Sequence, residues 1–335
     1  MKKLILVSIL FLPFCLIAQK HDNVWLFGYG SNENDSIYGG TVIKFTGDSF
    51  ETYYEYRDMW FNFTNGSISD ATGNLLFYSN GVSIWNKQNE IMENGNNLNP
   101  CPYTQANQYT GLIINQGVLP LTLGDSDSLY YLIHLDMDYP FQDYSLHTKH
   151  LYYSLIDMSG DQGLGTVIEK NQTIIDDILA PGKLAACKHA NGKDWWIFVK
   201  KYGTNTFLKV LLSEFGLETL EQDIGEITHS NSAGQAVFSP DGTKYVRSQR
   251  VSVDIGNFIN IYDFDRCTGE LSNPIQFMYQ DSSYSGGVAI SPNSRYLYVS
   301  SYEYVYQFDL LAEDIESTKD TVAIYDGWYY EDSPH

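Results

Sequence analysis

Phe238-Ser239-Pro240-Asp241-Gly242-Thr243-Lys244-Tyr245 decides the architecture of this chain. An apolar stretch of small residues, Gly234–Ser239, runs into a tight polar turn, and an aromatic-bearing stretch, Lys244–Gln249, leaves it. The same phrase recurs around Asp70-Ala71-Thr72-Gly73, Gly124-Asp125-Ser126-Asp127, Ala190-Asn191-Gly192-Lys193 and Ser291-Pro292-Asn293-Ser294. Measured between Asp70, Asp125, Asn191, Asp241 and Asn293, the intervals are 55, 66, 50 and 52 residues. A strand-built period of roughly 40–50 residues is the mark of a β-propeller, one four-stranded sheet per repeat. A lone sheet of this kind cannot bury both faces, so neighbours must stack.

Each unit reads as four strands, a to d, from the axis outward. The a strands (66–70, 118–123, 183–189, 234–239 and 286–291) are rich in Gly, Ala, Ser and Val, as a crowded centre requires. The b and c strands carry Tyr, Phe, Trp and Ile, which pack well on pleated surfaces. Asn80-Gly81 marks a b–c hairpin. The fourth strand of the first unit is weak and centred near Ile91; segments 216–224 and 309–319 read as short helical turns. Val24–Phe27, Gly40–Phe45 and Phe50–Tyr56 read as strands b, c and d of a unit without its own a strand. The expectation is therefore an all-β propeller of five complete repeats plus an N-terminal partial blade. This predicts a six- or seven-bladed ring cut at its C-terminal end, with the closing turn near position 345.

Lys2 and Lys3 precede a largely apolar run, Leu4–Ile17, and Ala18 supplies a small residue before Gln19. That pattern predicts a secretory signal peptide over 1–18, with the propeller over 19–335. Phe14 before Cys15 is too bulky for a lipid-attachment signal, and no later stretch is apolar enough for a membrane span. The formal charge of −21 becomes −23 once both signal lysines are lost, and Lys200-Lys201 is the lone adjacent basic pair beyond the signal. Phosphate backbones need clustered cations, so nucleic acid is excluded as a partner. Cys101, Cys187 and Cys267 are odd in number and match no metal-binding spacing; Cys187 in Leu184-Ala185-Ala186-Cys187 reads as a buried free thiol.

Four phrases carry a family likeness: Val24-Trp25-Leu26-Phe27-Gly28, the run from Asn74 through Asn80-Gly81 to Trp85-Asn86-Lys87, Lys188-His189-Ala190-Asn191-Gly192-Lys193-Asp194-Trp195-Trp196, and Phe238-Ser239-Pro240-Asp241-Gly242. Together they resemble exported WD40-like propeller proteins of Bacteroidetes. The resemblance implies secretion or surface display through the type IX system, and it supplies no catalytic residues.

In a propeller the d–a and b–c connections share one face, where loops on a rigid scaffold carry function. That face is expected to gather Tyr103 and Tyr109 from the 99–109 loop, Asp136 and Asp138 from the 134–147 connection, His229, Asn231, Arg250, Asp281 and Tyr284. Tyrosines there suit stacking on sugar rings or peptide side chains, with amides and carboxylates directing hydrogen bonds. Asp136, Asp138 and Asp143 match no calcium-loop spacing and read as a solvated acidic loop, so neither metal nor cofactor is predicted. His147 and His150, three apart at a strand start, are expected on opposite faces. The leading expectation is a secreted, non-catalytic module for a glycan, a peptide or a surface protein. The alternative is a propeller hydrolase of lactonase or glycosidase type. A sialidase is disfavoured because it needs converging arginines, and the chain has only Arg57, Arg247, Arg250, Arg266 and Arg295.

Overall fold

The computed structural model describes residues 20–28, 30, 39–124, 126–137, 147–227, 234–252, 256–281 and 285–327, with backbone alone at 250–252 and 285. The signal segment at 1–18 lies outside the described residues. The fold is a propeller ring of six blades, every neighbouring strand pair antiparallel. Blade one holds β1 (Val24–Phe27), β2 (Thr41–Thr46) and β3 (Ser49–Tyr54). Blade two holds β4 (Gly66–Ser69), β5 (Leu75–Ser79) and β6 (Ile84–Asn86), and its expected fourth strand is a single bridge from Trp85 to Ile91. Blade three comprises β7 (Val118–Thr122), β8 (Leu129–Leu135), β9 (Thr148–Asp157) and β10 (Thr166–Leu179). Blade four comprises β11 (Ala185–Lys188), β12 (Trp195–Lys200), β13 (Thr206–Ser213) and β14 (Gly216–Asp223). Blade five comprises β15 (Ala236–Phe238), β16 (Lys244–Ser252), β17 (Gly256–Asp265) and β18 (Glu270–Tyr279). Blade six comprises β19 (Ser285–Ile290), β20 (Tyr296–Ser301), β21 (Tyr304–Asp309) and β22 (Asp320–Ile324).

Four of the five recurring turns share one chemistry; in the fifth Asp125 lies outside the described residues, and Ser126 Oγ accepts from Ser128 N and Leu129 N. Asp70 Oδ1 accepts from Thr72 N at 2.8 Å, Asn191 Oδ1 from Lys193 N at 3.0 Å, Asp241 Oδ1 from Thr243 N at 3.0 Å, and Asn293 Oδ1 from Arg295 N at 3.2 Å. Each side chain thus satisfies the backbone donor two residues on, the bond an Asx turn makes. Burial alone would push the Asp70 carboxyl up, but hydrogen bonds from Asn74 and Thr72 hold it down at about 2. The residue after Asn191, Asp241 and Asn293 is left-handed: Gly192 (φ +77°), Gly242 (φ +71°) and Ser294 (φ +58°).

Five hydrophobic clusters fill five successive blade junctions, from Val24, Leu26 and Tyr78 between blades one and two to Val246, Leu297 and Phe308 between blades five and six. Near the axis, Gln116 spans from the entry of blade three to blade five: its Nε2 donates to Ala236 O and its Oε1 accepts from Ala236 N, both at 2.8 Å. Leu184 N bonds Gln116 O at 3.2 Å, so one residue links three blades. The 216–224 segment is a strand rather than a helical turn, because β13 offers it a full register from Thr206–Asp223 to Ser213–Gly216. Within 309–319 only Glu316–Thr318 is helical, as a 3-10 turn.

Candidate functional site

The 99–109 connection is built around a short helix, α1 (Pro102–Ala106); residues 99–102 line one cavity, and Gln108 and Tyr109 line another. Cys101 caps it, its Sγ accepting from Thr104 N, and proline opens it where no backbone donor is needed. Tyr103 and Thr104 point inward; Tyr103 is buried with Val82, Leu112 and Leu135 and holds the loop to the blades. It is a core residue, not a ligand-facing aromatic.

The first cavity, about 460 Å³, lies against blade two and is lined by Asp58, Trp85, Asn96, Asn97, Gln108 and Tyr109, among others. Trp85 is half-buried: it packs in part against the cluster of Val24, Leu26 and Tyr78, its indole N–H is spent on Ser83 Oγ at 2.9 Å, and it lines the cavity. Tyr109 is 76 % exposed. The asparagine-rich wall takes its shape from left-handed backbone at Asn94 (φ 60°) and Asn97 (φ 57°), a conformation asparagine tolerates. The wall is tied down from β10 through its carbonyls: Lys170 Nζ donates to Asn94 O and Asn96 O at 3.0 and 2.9 Å, and Asn171 Nδ2 donates to Asn97 O at 3.0 Å. Among the described residues the side-chain amides of Asn96, Asn97 and Gln108 meet no hydrogen-bond partner, and they line the cavity.

The second cavity, about 320 Å³, is lined by Asn99, Cys101, Asp136, His147, His150 and Tyr152 with neighbouring prolines and Lys149. His147 and His150 both line it, with their rings on different partners: His147 lies against Tyr202, centroids 5.2 Å apart, and His150 against Asp136 and Tyr152. Asp136 Oδ1 accepts from Lys149 N and His150 N at 2.7 and 2.9 Å, while Oδ2 meets His150 Nδ1 at 2.6 Å. On its far side His150 Nε2 faces Asp176 Oδ1 at 3.4 Å, and its ring stacks on Tyr152 with centroids 5.0 Å apart. Burial, reinforced by the carboxylates of Asp136 and Asp176, pushes the Tyr152 hydroxyl up to about 12. With both imidazole nitrogens engaged by carboxylates, His150 is held more firmly than a free general base.

The floor of this second cavity is a closed network. His134 is fully buried; its Nδ1 meets Asn99 Oδ1 at 2.7 Å and its Nε2 meets Ser154 Oγ at 3.0 Å. Asn99 Nδ2 already donates to Gly81 O and Leu135 O, so Asn99 Oδ1 must accept and Nδ1 carries the proton. Ser154 Oγ accepts from Asn171 N at 3.2 Å and gives its own proton to Nε2.

Of the nine residues expected on the binding face, Tyr109 and Asp136 line cavities, and these are different cavities. Asp281 is buried at the junction of blades five and six, where burial first and its carboxylate next push the Tyr306 hydroxyl above its ordinary value. Arg250 lies in β16 with its backbone opposite Asn257. Asp138, His229, Asn231 and Tyr284 lie outside the described residues. Trp85, Asn96, Asn97 and Gln108 were not anticipated; the visible signal was the amide-rich run Asn94-Gly95-Asn96-Asn97-Leu98-Asn99. Cys187 is buried as expected, and burial pushes its thiol up to about 11. Among the described residues no group of three or more His, Cys, Asp or Glu is placed to hold a metal, and no helix is long and apolar enough to cross a membrane.

Neither a protein-family model nor a curated protein matches the chain. Among solved structures it is similar to a Bacteroides fragilis protein provisionally described as a 6-phosphogluconolactonase (14 % identity, 90 % of this chain and 94 % of that one, TM-score 0.42). It is also similar to a functionally unknown protein from Desulfotomaculum acetoxidans (12 %, 92 % and 86 %, TM-score 0.46) and to the periplasmic gluconolactonase of Pseudomonas aeruginosa (11 %, 90 % and 94 %, TM-score 0.43). At such identities the likeness concerns the propeller fold alone.

Proposed function

We propose that this chain is an exported, non-catalytic propeller that binds a glycan in the Trp85–Tyr109 cavity. The observation that carries the reading is the pairing of two aromatic rings with unspent amides on a wall whose backbone is already fixed. Sugars present apolar C–H faces and a rim of hydroxyls. A ring face buries the first, and free Asn and Gln amides, each both donor and acceptor, satisfy the second. Because the carbonyls of Asn94, Asn96 and Asn97 are held by Lys170 and Asn171, little ordering remains to be done on binding. The signal-like start and the likeness to exported propellers support a location outside the cytoplasm.

A glycan array followed by calorimetry tests the reading. Trp85→Ala and Tyr109→Ala are each expected to weaken binding of any retained glycan about ten-fold or more, while Asp281→Asn leaves it unchanged. A retained glycan whose affinity is indifferent to Trp85→Ala would show that this cavity is not the site.

A hydrolytic reading is supported by one feature, the Asp136–His150 contact in an open cavity beside Cys101. It requires turnover of an ester, lactone or glycoside that His150→Gln abolishes. A substrate screen with and without calcium that shows no turnover removes it.

A further inference from the structure

Three cations are buried together at the junction of blades four and five. Lys183 precedes β11, and continuing the Ala185–Phe198 register by two residues sets it opposite Lys200 at the end of β12. Strand alternation puts both on the face that sends Cys187, Trp196 and Phe198 into that junction. Across it, β16 presents Arg247 on the same face as Tyr245. Lys183, Lys200 and Arg247 are 1, 3 and 2 % exposed. The Lys200 ammonium and the Arg247 guanidinium carbon lie 5.6 and 5.7 Å from the centre of one ring, Phe207, so each sits in the field of the other.

Among the described residues neither terminal nitrogen of Arg247 has a partner at hydrogen-bond geometry, and the neutral Tyr245 hydroxyl, likewise without one, is the neighbour that its charge acts on. Among the described residues no carboxylate pairs with Arg247 or Lys200. Another buried lysine of blade four shows how this fold treats a cation that needs only structural compensation. Lys209 is met by Glu270 at 2.7 Å and Gln222 at 3.2 Å. Around Arg247 and Lys200 the described residues supply no such carboxylate. Burial first, then repulsion from Arg247, pushes Lys200 down to about 8, and Lys183 is lowered well below its ordinary value by burial, Arg247 and Lys200. A lysine can shed its proton under this pressure, but an arginine cannot. A buried guanidinium without an anion is strongly unfavourable.

We propose that Arg247 and Lys200, backed by Lys183, form a binding site for a small oxyanion, a carboxylate or phosphate group, gripped by the guanidinium fork. The planar fork matches two oxygens of such a group, and the aromatic surroundings of Phe207, Tyr245 and Tyr262 keep competing water away. Lys183 opens the inner strand and Lys200 closes the next, so the cluster lies toward the end of the ring that carries the d–a and b–c connections. It is separate from the cavity at blade two.

Thermal unfolding of the full chain tests this, with sodium phosphate and sodium acetate titrated against sodium chloride at constant ionic strength. The wild type is expected to show a saturable rise in Tm, about 3–5 °C at about 100 times Kd. Arg247→Met loses that rise, and in chloride it melts no lower than the wild type. Lys200→Met keeps the rise with affinity weakened about five-fold or more, and it decides the matter by calorimetry should Arg247→Met not fold. A response to phosphate alone identifies a phosphate site, and a response to both identifies a general carboxylate-and-phosphate site. A wild type without a saturable response, an equal response in Arg247→Met, or an equal response to chloride would each overturn the proposal.

Discussion

Phe198→Ala is expected to destabilise the protein by about 3–5 kcal/mol, read as a lowered urea midpoint at unchanged slope. Phe198 is wholly buried at the same junction, on β12 between Ala185 and Lys209. Its ring centroid lies 5.4 Å from those of Phe238, Tyr245 and Phe264 in blade five and 6.4 Å from Phe207 in its own blade. Truncation therefore removes the shared surface by which blade four recognises blade five, and the backbone on both sides is pinned by strand pairing and cannot collapse into the gap. In a stacked-repeat protein such a junction is also where cooperativity is stored. A loss below about 1 kcal/mol would mean that the junction repacks freely, against the close packing argued here.

The turns were legible because their chemistry is local. Asp70, Asn191, Asp241 and Asn293 each capture a backbone N–H two residues away, and no distant residue has to be known to predict that. β14 was misread for the complementary reason. Leu217, Glu218, Leu220 and Glu221 are good helix formers, and only the length of β13 beside them decides for a strand. The candidate site mixes the two cases. Tyr103 and Tyr109 look alike six residues apart, yet one turn of helix sends the first into the core and leaves the second in a cavity. Trp85 read as a packing residue of its strand, and its availability follows from the Asn96–Asn97 wall folding back over it. Arg247 sits at a buried position in the alternation Tyr245, Arg247, Gln249, but its neighbours Lys200 and Lys183 come from the preceding blade, 47 and 64 residues earlier.

Acid should loosen blade three through His134 before it affects most of the ring. Burial holds the His134 imidazole at about 3, far below its unfolded value of about 6.5. The folded state therefore prefers the neutral ring. Its contribution is fully present above the unfolded value and is lost as pH falls from about 6.5 toward 3. Linkage makes that loss about 3 kcal/mol by pH 4 and about 4–5 kcal/mol at its limit. The chemistry of the network explains the sense. A proton on Nε2 turns the acceptor of the Ser154 hydroxyl into a donor and places a charge where no carboxylate is bonded to it. Asn99, which joins His134 to the 99–109 loop, would be the first link strained, so the cavity beside Asp136 should open together with the loss of stability. His134→Gln cannot titrate but can still donate to Asn99 Oδ1 and accept from Ser154. Urea melts of both proteins at pH 7, 5 and 4 check this: the wild type should lose about 3 kcal/mol more than the variant over that range. Parallel losses would place the acid sensitivity in the carboxylates instead, and would mean that His134 is reached by solvent in the folded state.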